Sequence, residues 1–134
     1  FQEILNMTKI ELYTIAKNTI QHLTLEHDGE CGQVGCALES ESGNIYTGIN
    51  IDLTCNLGFC AEQAAIADML KHGEMKIKRL IAVYKNGNIL PPCGRCREFM
   101  IQVNKDNLNT LIILPDFKEI PLKELLPELW IDHE

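Results

Sequence analysis

The sequence has no apolar run approaching the roughly 20 residues that a helix needs to cross a bilayer. Residues 1–20 also lack the basic-then-apolar order of a secretion signal. These absences predict a cytoplasmic chain with no membrane partner. Clusters of lysine and arginine are missing as well. Twelve basic residues stand against nineteen acidic ones, for a net charge of -7, whereas a protein that grips DNA or RNA usually presents a basic face to the phosphates. No nucleic acid is expected as a partner, and a small molecule is. There is no internal repeat, low-complexity tract or linker-like stretch, and 134 residues suffice for one core but hardly for two. The expectation is a single domain over residues 1–134.

What the sequence does have is cysteine: residues 31, 36, 55, 60, 93 and 96. Where no secretion signal precedes them, clustered cysteines more often bind metal or do redox chemistry than form disulfides. Around them the hydrophobic pattern changes period several times. Thr8-Lys9-Ile10-Glu11 has the form of a capping box. Leu12, Ile15, Ala16, Thr19, Ile20 and Leu23 follow at helical spacing, which predicts a helix over residues 8–25. The polar stretch 26–33 reads as a loop. Strands are predicted at 34–39 and 45–51, joined by a turn at Glu41-Ser42-Gly43-Asn44.

A second helix is expected from Cys60 to His72, stopped by Gly73. The continuous apolar run Leu80 to Tyr84 reads as a strand covered on both faces. Pro91-Pro92 leads into a third helix over 93–103. A strand at 111–114 and a short closing helix at 122–126 complete the order α-β-β-α-β-α-β-α. That order predicts a three-layer αβα sandwich with a mixed sheet of about five strands.

Cys60 and Glu62 occupy the first turn of an otherwise apolar helix, and Cys93 and Cys96 share a face of another. Two helix N-termini converging on one point favour thiolates and hence a metal. Three cysteines fill three corners of a zinc tetrahedron, the count of a catalytic site that keeps its fourth corner for water. Zinc lowers the pKa of such a water towards about 7, and a carboxyl at Glu62 is placed to move its proton. Two other readings stay open on spacing alone. Cys55 could complete a closed four-cysteine structural site, with Glu62 favoured only by the helix dipole, and the CxxC could be redox-active. His22, His27, His72 and His133 have no partner at ligand spacing, while Cys31 and Cys36 read as structural thiols.

Cys60-Ala61-Glu62 followed by Pro92-Cys93-Gly94-Arg95-Cys96 resembles the signature of the zinc-dependent cytidine deaminases in its three-cysteine form. The likeness extends to VGCAL at 34–38, GINID at 48–52 and KELLP at 123–127, and so covers most of the chain. It implies one zinc ion on Cys60, Cys93 and Cys96, with Glu62 carrying the proton during hydrolytic loss of ammonia from a cytosine ring. It further implies an Ala61 amide near the ring carbonyl and a sugar contact from Asn50.

The departures concern the substrate. Asp52 stands where nucleoside deaminases usually carry a glutamate for the ribose. GECGQ precedes VGCAL without the phenylalanine that packs on the base in many of them. Gln63 replaces an arginine common beside the three thiolates, which leaves Arg95 and Arg97 as the candidates for charge compensation. PPCGRCRE is closer in texture to the blasticidin S deaminases, so an antibiotic deaminase is the alternative. Both groups imply a homotetramer, or at least a dimer, in which Trp130 is a candidate to reach a neighbouring subunit. The competing reading from another class is a zinc-stabilised binding protein without activity.

Overall fold

Successive side chains along an extended chain point to opposite faces of a sheet, and the central segments here are apolar at both parities. Cys36 and Leu38 lie on one face of the sheet and Ala37 on the other; Leu80 likewise opposes Ile81, and Ile112 opposes Ile113. Such a sheet must be covered twice. The computed structural model describes the backbone of residues 2–134 and the side chains of residues 9–134. Helix α1 (Gln2–Thr19) covers one face, placing Leu12 and Ala16 against Ala37, Ile81, Val83 and Ile113. Helices α2 (Ala61–Lys71) and α3 (Gly94–Val103) cover the other, with Ala65, Ile66, Met69, Met100 and Ile101 packed on Cys36, Leu38, Leu80 and Ile112.

The sheet contains β1 (Leu23–Thr24), β2 (Glu30–Ser40), β3 (Ile45–Asp52), β4 (Ile77–Tyr84), β5 (Ile89–Leu90), β6 (Leu111–Ile113) and β7 (Glu119–Pro121). Its path runs β1-β2-β4-β6-β7, with β3 on the other edge of β2 and β5 beside β4. Among the described residues only β4 and β6 pair in parallel, so the sheet is mixed. The two-residue strands β1 and β5 prolong the lanes of β4 and β6 rather than adding new ones. This is the expected three-layer αβα architecture.

Several boundaries differ from expectation. The first helix begins at Gln2 and ends at Thr19, and Leu23 belongs instead to β1, where it pairs with Cys31. The Thr8 hydroxyl of the expected capping box lies outside the described side chains. The closing helix is a 3-10 turn over Leu122–Leu125, held by the fully buried Leu122. β7 was not foreseen because it ends in Pro121, a residue depleted in sheets and tolerated here at an edge.

One contact sets the depth of the site. A Cβ at Gly48 of β3 would lie 2.4 Å from the Ala65 nitrogen and 2.6 Å from the Ala64 Cβ. Helix α2 therefore rests directly on the strand backbone, through the small residues of its first two turns. Gly48→Ala forces the helix away and is expected to cost about 1–3 kcal/mol through overpacking. A lowered urea midpoint with an unchanged slope checks this; an unchanged midpoint shows that the seat is slack.

Candidate metal centre and pocket

Cys60 caps α2 and Cys93 caps α3, each in extended conformation (ψ 158° and 168°) immediately before the first helical residue. Because both helices lean on the same sheet face, their N-termini meet. Cys60 Sγ lies 3.8 Å from Cys93 Sγ, and Cys93 Sγ lies 3.5 Å from Cys96 Sγ. All three sulfurs fall within 4.8 Å of one another. Two sulfurs bound at ~2.3 Å to a tetrahedral zinc ion lie about 3.8 Å apart, so the donor set has the spacing and chemistry that zinc takes. Cys55 is exposed, adopts a positive φ of 60°, and stands outside this group among the described residues.

The three thiols differ in setting. Cys96 is buried, Cys60 half-buried and Cys93 exposed. Burial pushes the Cys96 thiol far above the ordinary range, and the nearby Glu62 carboxyl adds to it. Burial also raises Cys60, against a hydrogen bond with Cys96. Cys93 is shifted the other way, its burial outweighed by hydrogen bonds with Cys96 and Cys60, and a bound cation would deprotonate a coordinating thiol outright. Gln63 closes a capping box with Cys60: its Oε1 accepts from the Cys60 N–H at 3.4 Å, and its own backbone N–H donates to the Cys60 sulfur. The Gln63 Nε2 is buried without a hydrogen-bond partner among the described residues.

Glu62 is 5% exposed. Burial raises its pKa above that of an ordinary glutamate, against opposing hydrogen bonds from its own backbone N–H and from Cys96. It lines a cavity of about 430 Å³ together with Cys60, Ala61, Cys93, Asn50, Asp52 and Arg95, a volume typical of small-molecule sites, which run to ~300–1,000 Å³. Asn50 is held rigidly. Its Oδ1 accepts from the Val34 N–H at 3.0 Å, and its Nδ2 donates to Gln33 Oε1 at 2.8 Å.

The fold thus gathers most of the residues singled out in the sequence. Cys96 sits beneath the pocket rather than on its wall. Arg97 and Trp130 do not line it: the Arg97 side chain donates to two backbone carbonyls, and Trp130 is 61% exposed. The apolar walls were missed. Val34, Leu53, Phe59 and Leu90 supply them. Phe59 directly precedes a ligand candidate, and that adjacency was the one usable signal. Gln33 was missed as well, since nothing local marks its reach across the sheet to Asn50.

Comparison with known proteins gives the same picture. Residues 7–112 match the family described as the cytidine and deoxycytidylate deaminase zinc-binding region. The chain is 34% identical over 97 residues to the cytidine deaminase of Shewanella woodyi, covering 70% of this chain and 30% of that protein. It is 30% identical over 97 residues to the cytidine deaminase of Sporosarcina psychrophila, covering 70% of this chain and 71% of that one. The crystal structure of the Mycobacterium tuberculosis cytidine deaminase superposes with a TM-score of 0.71 at 26% identity, covering 94% of this chain and 96% of that one. The matched region spans about three tenths of the longer curated relatives, at 30% and 29% of their length.

Proposed function

This chain belongs to the cytidine and deoxycytidylate deaminase family, and from that premise we propose that it hydrolyses the exocyclic amino group of a cytosine nucleoside or analogue, releasing ammonia. The observation that carries this reading is a buried carboxyl, Glu62, beside three sulfurs at zinc spacing in a cavity of small-molecule size. Cys60, Cys93 and Cys96 would hold the zinc ion. When bound, it supplies the Lewis acidity that makes water nucleophilic near neutral pH.

The rest falls to the chain's own groups. Glu62 takes a proton from the attacking water and passes it to the ring nitrogen; a second transfer lets the amino group leave as ammonia. The raised pKa of Glu62 suits a group that must both accept and return a proton. The Ala61 amide, in the first turn of α2, is the donor for the ring carbonyl. Asn50, locked by Val34 and Gln33, presents its remaining hydrogen-bonding capacity to the sugar. Phe59, Val34 and Leu90 offer the base an apolar wall.

A blasticidin S-type substrate is the second reading. Asp52 and Arg95 both line the cavity, and opposite charges there suit a cytosine analogue carrying charged substituents better than plain cytidine. Free cysteines throughout support a reducing, cytoplasmic setting. No described helix is long and apolar enough to cross a membrane. Exposed Leu53, Leu57 and Phe59 near the pocket support burial against another copy in a homotetramer or dimer, to which the exposed Trp130 would contribute.

The deciding experiment measures ammonia release by zinc-loaded protein from cytidine, deoxycytidine and blasticidin S in parallel. Release from one of them, abolished by a chelator and restored by zinc, is expected. Silence on all three, with one zinc bound per chain, would favour a non-enzymatic zinc-stabilised binding protein or a different amino-heterocycle.

A further inference from the structure

The segment that carries Cys93 is short of anchors. Pro91 and Pro92 have no backbone N–H to donate, and Cys93 sits outside the helix in extended conformation (φ -69°, ψ 168°) with its side chain exposed. Of the three sulfur-bearing residues it is the least fixed by packing. Cys96 lies inside α3 and is buried, and Cys60 is held by Gln63.

One residue makes up for this. Arg97 Nε donates to the Pro92 carbonyl at 2.8 Å, and the Arg97 backbone N–H donates to the Cys93 carbonyl at 3.0 Å. Those carbonyls belong to the two peptide planes on either side of the Cys93 Cα. With both planes held, rotation about N–Cα and about Cα–C is fixed, and so is the direction of the Cα–Cβ bond from which the thiol takes one of its staggered rotamers. The far end of the guanidinium, Nη1, donates to the Leu125 carbonyl at 3.0 Å. Leu125 closes the C-terminal 3-10 turn, which is itself secured by the buried Leu122 and by its N–H to the Thr110 carbonyl at 2.8 Å.

We infer that Arg97 is a positioning residue for the metal centre: its side chain holds the peptide plane that precedes Cys93, completing what the helical backbone bond to the Cys93 carbonyl begins, and it ties the Cys93 backbone to the turn over Leu122–Leu125. The planar fork of arginine suits this work because Nε and Nη1 diverge at a fixed angle towards two separate carbonyls. A lysine ammonium reaches one of them at a time. The inference rests on the reading of Cys93 as a metal ligand, and its test needs no substrate.

Zinc affinity is measured by competition with a chromogenic chelator for the wild-type chain, Arg97→Met, Arg97→Lys and Leu12→Ala. The last is a control that weakens the core on the opposite face of the sheet. Arg97→Met is expected to bind zinc about 10–100-fold more weakly, the usual effect of removing a group that orients a ligand. Arg97→Lys should fall between, and it keeps the comparison alive if Arg97→Met does not fold. Leu12→Ala should lose stability and keep its affinity. With cobalt in place of zinc, both Arg97 variants should show weakened thiolate-to-metal absorption. Wild-type affinity and spectrum in folded Arg97 variants, with stability lowered as in Leu12→Ala, overturn the inference. If Cys93→Ala itself keeps full affinity, the ligand reading fails first, and the two failures are thereby distinguished.

Discussion

Glu62→Gln is expected to keep its zinc and to lose about 10²–10⁴-fold in ammonia release, the usual contribution of a positioned general acid–base. Glutamine preserves the volume of the buried side chain and its hydrogen-bonding reach, but it cannot take a proton from water. Because Glu62 is 5% exposed and its charged form is disfavoured there by burial, a neutral amide removes a cost instead of creating one. The thermal midpoint of the variant should therefore not fall. That pattern separates chemistry from scaffolding: a residue kept for stability would show the opposite, a drop in midpoint with turnover intact. Undiminished turnover at full zinc occupancy in Glu62→Gln would falsify the proton-transfer role. Loss of the metal would instead make Glu62 part of the donor set, and the four-position account of the site would have to change.

Much of this centre was legible in the sequence because its chemistry is compressed into helix starts. Cys60, Glu62, Cys93 and Cys96 occupy cap and first-turn positions, where spacing along the chain translates directly into spacing in space. The continuous apolar runs of β4 and β6 likewise announced strands covered on both faces. What could not be read is whatever depends on contacts far apart in sequence. Asn50 is oriented by Gln33 and Val34 through pairing of β3 with β2, and nothing local in GINID says so. Arg97 looked like a spare charge beside the thiolates, yet its side chain reaches a carbonyl 28 residues away in the C-terminal turn. The end of α1 was misplaced because the apolar periodicity from Leu12 continues through Leu23, although the helix ends at Thr19. There the sheet prevails over periodicity: pairing of Leu23 with Cys31 satisfies backbone groups that a longer helix would have used.

Removing any one sulfur should do more damage than removing Glu62, because it takes away the metal along with the proton path. Cys60→Ala, Cys93→Ala and Cys96→Ala are each expected to reduce zinc from one per chain to a small residual fraction and ammonia release to background, whereas Cys55→Ala retains both. The contrast follows from geometry: three sulfurs lie within 4.8 Å of one another, and the exposed Cys55 is not among them. A ligand that binds only the folded chain stabilises it by about 4 kcal/mol at a thousandfold excess over its Kd. Chelation should therefore lower the thermal midpoint of the wild-type chain and of Cys55→Ala, and leave that of the three ligand variants nearly unmoved. Without metal the variants should also rank by burial. Cys96→Ala removes a fully enclosed side chain and loses packing, while Cys93→Ala, at the surface, loses little. Zinc retained in Cys93→Ala but lost in Cys55→Ala would sink the open three-sulfur site and return the closed structural one. The buried carboxyl at Glu62 would then have to be explained without catalysis.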